Sequence, residues 1–314
     1  MKALDTNESN ITQIAILHFF FNFYYGLFTL TSIDIIRSNF EAKNIMKSYS
    51  YIYLLSGLTS FFGNAIIGAL SDKFGRKPFL MAAISVRIIS QVFLFFKQNV
   101  LFLYSTAFFC LIDVGNSLIM VSTADVTGQE ERDQGYAIVS AMQPLGFILG
   151  PIVSSMMNYN SGKDQPQFFY TITYFSFFLS VLSLAYVYFI LPEPLDQDIQ
   201  KNTKLNINKM NPFYNIGIAL CNKSFFMILM ITALIVLPQE TIQSTYTMFL
   251  KNYLELNDYL TSIIITTIAL STTLFLTFMF EYLIELLTHR VTIVVAVLVQ
   301  ILVMIFSSFM TSIL

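Results

Sequence analysis

The sequence predicts an all-α, polytopic membrane protein, and three observations support this. Hydrophobic residues make up 55% of the 314 residues and charged residues only 11%, whereas a soluble domain carries about 25% charged residues. The mean hydropathy is +0.66. The apolar residues also gather into runs of about 20, which is the length that an α-helix needs to cross a hydrocarbon core.

Nine apolar runs are long enough to be transmembrane helices. The first follows eleven largely polar residues and has no small-residue cleavage site behind it, so it is interpreted as a span and not as a signal peptide. The predicted spans are residues 12–33, 50–70, 78–96, 100–124, 135–157, 168–191, 224–249, 259–280 and 291–311. The last two are the least distinct, because charged residues blur their junction.

A polar stretch in the middle of the chain suggests three parts. Residues 1–191 would form an N-terminal half of six helices, residues 192–223 a cytoplasmic linker, and residues 224–314 part of a C-terminal half with about three helices. The linker is rich in Asn, Lys and Asp and holds Pro192 and Pro194, as connecting segments do. Two helical blocks joined in this way are typical of transporters built from repeated halves.

Basic residues indicate the orientation. If the N-terminus is cytoplasmic, ten of the 17 Lys and Arg residues fall on inner segments, six on outer segments, and Arg87 within a span. The positive-inside rule therefore predicts a multi-pass protein with a cytoplasmic N-terminus, in a plasma or an internal membrane.

Several function classes are disfavoured by the composition. The net charge of -2 argues against a nucleic-acid partner. Two cysteines do not make a disulfide framework or a metal site. The sequence shows no P-loop, no GxSxG and no CxxC pair, so we predict no enzyme, no cofactor and no metal, and the lipid bilayer is the expected partner.

The most informative stretch is the charged loop between the second and third spans, GALSDKFGRKP from Gly68 to Pro78. Its charges cannot lie in hydrocarbon. We expect Gly68 to allow close backbone approach and Gly75 to let the chain reverse. From the residues alone, two interpretations are open: a topology anchor, or an electrostatic clip whose salt bridges break when two halves of the protein rock.

This loop resembles signature motif A of the major facilitator superfamily. Gly68, Asp72, Gly75, Arg76 and Lys77 match that motif and stand in the corresponding loop. The resemblance implies a major facilitator fold and a gating pair between Arg76 and the acid that ends helix four, here Asp125. It also implies that Asp72 meets the N-terminus of an eleventh helix, which is expected to lie beyond Leu314.

Other stretches resemble the same superfamily. Gly146, Gly150 and Pro151 match the antiporter motif of helix five, for which tight helix packing and a gating role are both open. The segments GALSDKFGRKPFL (68–80), ADVTGQEERDQGYAIVSA (124–141) and LPQE (237–240) resemble the hippocampus-abundant-transcript-like branch, which is similar to tetracycline exporters. Asn22 departs from this branch, since an acid is expected there. The resemblance therefore does not extend to proton coupling through helix one.

Charges inside the spans are costly and suggest function. Arg87 and Asp113 fall near the middles of the third and fourth spans, at depths within about 5 Å of each other at 1.5 Å per residue. An ion pair between them is expected, with either a structural or a transport role.

Glu240 lies beside Pro238 in the seventh predicted span, where a carboxylate could face a wet cavity or simply be solvated near the outer mouth. Neighbouring Gln239 and Gln243 could offer hydrogen bonds to a solute or to another helix. With Asn22 and Asp113, these are the candidate cavity residues.

The sequence therefore predicts secondary-active transport of a small organic solute by alternating access, with protons as a candidate coupling ion. The alternative is a truncated transporter or pseudo-transporter that acts as a membrane scaffold or sensor. A third hypothesis is a half-transporter completed by another chain.

Overall fold

The computed structural model describes residues 2–41, 44–96, 99–128, 131–160, 165–252, 254, 256, 258–274, 286–287, 291–292, 294–299, 301–302 and 305. In these residues the regular structure is entirely helical, which confirms the predicted all-α class. The α-helices of at least six residues are α1 (Lys2–Asn39), α2 (Ile45–Phe74), α3 (Lys77–Phe95), α4 (Asn99–Phe109), α5 (Gly115–Val126), α6 (Arg132–Asn160), α7 (Gln165–Phe189), α8 (Gln197–Asn202), α9 (Pro212–Cys221), α10 (Lys223–Asn252) and α11 (Asp258–Leu274).

Five segments of the described chain are long and apolar enough to cross a membrane. They are Asn10–Phe28, Lys47–Phe74, Lys77–Phe95, Arg132–Ser154 and Thr171–Phe189. The α9 and α10 helices, bent by 117° where they meet, add a sixth if they form one broken span. The eighth predicted span corresponds to α11, and about half of the ninth lies outside the described residues.

The fourth predicted span, residues 100–124, is not one helix. The α4 helix ends at Phe109 and α5 begins at Gly115. Between them the backbone N–H of Ile112 donates to the Phe109 carbonyl three residues back at 2.8 Å, and that of Val114 donates to the Ile112 carbonyl at 2.9 Å, so a turn interrupts the regular helical hydrogen bonds. The single-helix prediction is therefore corrected to two shorter helices, with Asp113 in the break.

The α1 helix is at the centre of the packing. It contacts α6 most extensively and also touches α4, α5 and α7, while α3 packs against α7 and α4. Two buried apolar clusters surround α1, one including Leu27 and Phe102 and the other including Phe21 and Ile84. Because α3 and the α4–α5 pair meet beside α1, their charged side chains are brought together.

Candidate functional site

Two arginine–carboxylate centres lie at different depths of this bundle. The first, called the loop cluster, lies where α2 meets α3 and consists of Ser71, Asp72, Arg76, Lys77, Asp125 and Glu193. The second, called the deep pair, is Arg87 with Asp113, between α3 and the break that follows α4.

The loop cluster is organised around the Arg76 guanidinium, which is 6% exposed. Its Nε donates to Asp125 Oδ2 at 2.8 Å. Its Nη1 lies 2.7 Å from Asp72 Oδ1 and donates to Ser71 Oγ at 2.6 Å. One side chain thus connects the ends of α2 and α5 to the start of α3, and it makes the contact with Asp125 that motif A implies. The partner that motif A implies for Asp72 is an eleventh transmembrane span, which is a different element from α11 and is not among the described residues.

Glu193, which the sequence analysis did not single out, completes the cluster. It follows α7, and its Oε1 accepts the backbone N–H of Arg76 at 2.6 Å. Its Oε2 accepts the N–H of Lys77 at 3.1 Å. A carboxylate at the positive N-terminal end of a helix is stabilised by these unpaired donors and by the helix dipole. Glu193, just beyond the C-terminal end of α7, therefore caps the N-terminus of α3.

Lys77 strengthens the same connection from the other side. Its Nζ donates to the carbonyls of Tyr188 at 2.9 Å and Leu191 at 2.8 Å, both at the end of α7. Gly75 has a φ of 94°, and a Cβ at that position would lie 2.6 Å from Glu193 Oε2. Gly75 is therefore required both by its backbone conformation and by the carboxylate beside it.

Gly68 has a different environment from the one expected. No heavy atom of the described chain lies within 4 Å of the position that its Cβ would take. The expectation that it permits close backbone approach is therefore wrong in this conformation.

The deep pair has bidentate geometry. Arg87 Nε donates to Asp113 Oδ2 at 2.6 Å, and its Nη2 donates to Oδ1 at 2.8 Å. Nη2 also donates to the Tyr25 hydroxyl at 3.2 Å. The side chains of Arg87 and Asp113 are 5% and 10% exposed. Paired hydrogen bonds of this kind are the strong form of an arginine–carboxylate contact.

Aromatic rings surround the Arg87 guanidinium. Its central carbon lies 3.9 Å from the ring centre of Phe21, 4.7 Å from that of Tyr25 and 5.1 Å from that of Tyr24. These rings attract a cation through their π faces. A small cavity beside Arg87, lined also by Ser180 and Ser183, has room for about one water molecule, which is too little for an organic solute.

The helix-five motif lies in a close contact between α6 and α1. A Cβ at Gly146 would lie 2.8 Å from the backbone nitrogen of Phe23, and one at Gly150 would lie 2.5 Å from that of Leu27. On the α1 side, a Cβ at Gly26 would lie 3.2 Å from Cδ of Pro151. Gly146 and Gly150 therefore let the backbones of α6 and α1 touch. Tight helix packing was one of the two interpretations open from the sequence, which did not indicate α1 as the partner.

The remaining candidates lie apart from both centres or outside the described side chains. Asn22 is 3% exposed, and its Nδ2 donates to the His18 carbonyl of its own helix at 2.8 Å, so it does not face an open cavity here. Gln239, Glu240 and Gln243 belong to α10, but their side chains are outside the described part of the structure. The described residues contain no cluster of His, Cys, Asp or Glu that could hold a metal ion.

Comparisons with known proteins place these features in a family. Hippocampus abundant transcript-like protein 1 from Rattus norvegicus is 24% identical over 254 residues, which are 78% of this chain and 47% of that protein. The class C tetracycline resistance protein from Escherichia coli is 25% identical over 124 residues, which are 39% of this chain and 31% of that protein. The chain thus spans about half the length of the first curated relatives it matches.

A solved structure has the same fold. The human organic anion transporter MFSD10 matches with a TM-score of 0.67 at 14% identity, covering 87% of this chain and 72% of that one. The sequence profile of the Major Facilitator Superfamily matches residues 14–314. This multi-pass membrane protein therefore belongs to the major facilitator superfamily.

Proposed function

We propose that the protein is a secondary-active transporter that moves a small organic solute by alternating access, with the loop cluster as its gate. The observation that carries the proposal is the Arg76 guanidinium, which binds carboxylates of α2 and α5 from the start of α3. A contact shared among three helix ends must change when those helices move relative to one another.

The strength of the loop cluster suits a gate. Asp72 and Asp125 are 43% and 21% exposed, so water can solvate them when they leave Arg76. Partly exposed ion pairs contribute about 1 kcal/mol or less each. A cluster of such contacts can favour one conformation without locking the protein in it.

The names of the relatives support solute transport. One is called an organic anion transporter and another a tetracycline resistance protein. We place the solute in a cleft beside α1, α5 and α10, where Asp113, Gln239 and Glu240 are the candidate contacts. The loop cluster would face the cytoplasm, as the distribution of basic residues suggests. The two-half organisation joined by residues 192–223 belongs to the same proposal.

Labelling of Cys110 tests the gate without knowledge of the solute. This free cysteine lies in the helix-four break and is partly buried. In membrane vesicles of known orientation, with Cys221 replaced by Ala, an impermeant thiol reagent is applied from each side. Replacing Asp125 by Asn should raise labelling from the loop-cluster side about fivefold, which corresponds to about 1 kcal/mol.

The matched control is Asp133→Asn, which removes an exposed acid in the first turn of α6. This control should label like the parent protein from both sides. Equal labelling of Asp125→Asn and the control would contradict the gating role and favour a membrane scaffold.

A further inference from the structure

We propose that the solute is a carboxylate anion that binds Arg87 in place of Asp113 when Asp113 takes up a proton. This inference rests on the proposed transport function and adds to it a substrate class, an anion-binding residue and a coupling ion. The site is the deep pair with the Tyr25 hydroxyl beside it.

The first step of the argument is the permanent charge of Arg87. Its guanidinium stays protonated in proteins, and here it is 5% exposed. A buried charge that loses its only counter-ion is strongly destabilised. In the described residues Asp113 is the one carboxylate that contacts Arg87. If Asp113 becomes neutral, another anion must take its place.

The second step concerns which groups near Asp113 can titrate. Arg87 approaches it from α3, Tyr24 and Tyr25 from α1, and Cys110 from the helix-four break. On α2 the Ser56 hydroxyl lies beside Cys110, and on α7 the Ser180 hydroxyl accepts from Gln91; neither group carries a charge. Asp113 is therefore the group in this set whose protonation removes the negative charge from the pair.

The third step is access. Tyr25 is 36% exposed, the Asp113 side chain is 10% exposed and that of Arg87 is 5% exposed. The carboxylate is therefore the more accessible of the two charged groups. The α5 helix begins two residues after Asp113, so the positive end of its dipole also favours an anion at this position.

The fourth step is the charge balance. One proton neutralises the Asp113 carboxylate, and one solute carboxylate binds the Arg87 fork, so the buried site stays neutral before and after binding. A planar carboxylate matches the two parallel donors that Asp113 now occupies. A cationic solute would instead pair with Asp113 and leave Arg87 without a counter-ion. The geometry therefore favours symport of an organic anion with a proton.

The test uses p-aminohippurate, an aromatic carboxylate that stays ionised between about pH 6 and pH 8, with the purified chain in detergent. Because each bound anion requires one proton, its affinity should rise with acidification from about pH 8 to pH 6, by up to about tenfold for each pH unit. One proton per anion should disappear from a weakly buffered solution. The cation tetraethylammonium should bind at least tenfold more weakly than p-aminohippurate at the acidic end.

Two variants make the test specific. Asp113→Asn should bind p-aminohippurate with no pH dependence and no proton uptake, because Arg87 already lacks its carboxylate. The double variant Arg87→Gln/Asp113→Asn removes both charges, so it keeps the site neutral and folded but should lose at least tenfold in affinity. Asp133→Asn, the matched control, should keep the pH dependence of the parent protein.

Four results would overturn the proposal: pH-independent binding by the parent protein, an unchanged pH slope in Asp113→Asn, full affinity in the double variant, or preference for tetraethylammonium. Should Asp113→Asn fail to fold, the proton count and the double variant still decide. Binding in detergent does not require gating. Anion binding without transport would therefore contradict the proposed transport function alone, and transport without an anion preference would contradict this inference alone.

Discussion

The loop cluster and the deep pair both join an arginine to an aspartate, Arg76 just before α3 to Asp125 in α5 and Arg87 in α3 to Asp113 just before α5, but their surroundings differ. Arg76 has three side-chain acceptors, Ser71, Asp72 and Asp125, and two of these are partly exposed. Arg87 has one carboxylate and one phenol, within a cage of aromatic rings. Loss of one acceptor leaves Arg76 with two others, whereas loss of Asp113 leaves Arg87 with a single neutral partner.

This difference explains why the same chemistry can serve two purposes. The pairs of the loop cluster are weak because water competes for the carboxylates of Asp72 and Asp125, which are 43% and 21% exposed, although Arg76 itself is only 6% exposed. Buried pairs are costly to break because the remaining charge is not solvated. We therefore expect variants of the loop cluster to change conformational populations and variants of the deep pair to change stability.

The largest effect is expected at the deep pair. Asp113→Ala should lower the free energy of unfolding by about 3–5 kcal/mol, because it leaves the buried Arg87 guanidinium without a counter-ion. Unfolding monitored by helical circular dichroism in detergent would measure the loss. Replacing both members by Leu should restore most of the stability, and Asp133→Ala should change it by less than about 0.5 kcal/mol. A small loss in Asp113→Ala would mean that water already reaches the pair.

An uncharged change next to Tyr25 sharpens the comparison. Gly150→Ala places a Cβ against the α1 backbone at Gly26 and Leu27, so it should cost about 1–3 kcal/mol through overpacking. Gly57→Ala is the control, because no atom lies within 4 Å of its Cβ position. If both variants unfold alike, the α1–α6 contact is looser than described.

Glu193 is expected to have an intermediate effect. Glu193→Ala leaves the N–H groups of Arg76 and Lys77 without their acceptor and should cost about 0.5–2 kcal/mol, as lost helix caps do. Glu193→Gln keeps an acceptor oxygen and should lose less. Hydrogen exchange at the first turn of α3 should accelerate in Glu193→Ala. Unchanged exchange there would show that Glu193 does not cap α3.

The smallest stability effect is expected at Asp125. Asp125→Asn should lower the free energy of unfolding by about 1 kcal/mol or less, since Ser71 and Asp72 still bind Arg76. The difference from the parent protein should shrink further when the salt concentration rises from about 0.01 M to 1 M, because exposed charges are screened. A loss as large as that of Asp113→Ala would remove the distinction between the two centres.

Part of this picture could be predicted from sequence because it depends on local signals. Long apolar runs gave the helical membrane class, and counting residues from the connecting turn brought Arg87 and Asp113 to a common depth. The contact between Arg76 and Asp125 followed from the resemblance to motif A. In each case the residues involved are charged or periodic, so the pattern itself carries the information.

Other features depend on contacts between distant segments and left no such signal. The break after Phe109 has no proline, and it forms where Asp113 binds Arg87 and Phe21 packs against Gly115. The local sequence does not distinguish Glu193 from the other acidic residues of the linker. Its role as a hydrogen-bond acceptor exists only once the end of α7 lies beside the start of α3. The sharp bend between α9 and α10 is likewise not marked by a proline or a glycine, since the residue between the two helices is Asn222.

The most direct test of the contrast between the two centres is a pair of double-mutant cycles on unfolding free energy. One cycle combines Arg87→Leu with Asp113→Leu, and the other combines Arg76→Leu with Asp125→Leu. We predict a coupling energy of about 3 kcal/mol or more for the deep pair and about 1 kcal/mol or less for the loop pair. Equal coupling energies in the two cycles would contradict the division into a gate that is easily broken and a buried pair that must stay neutral.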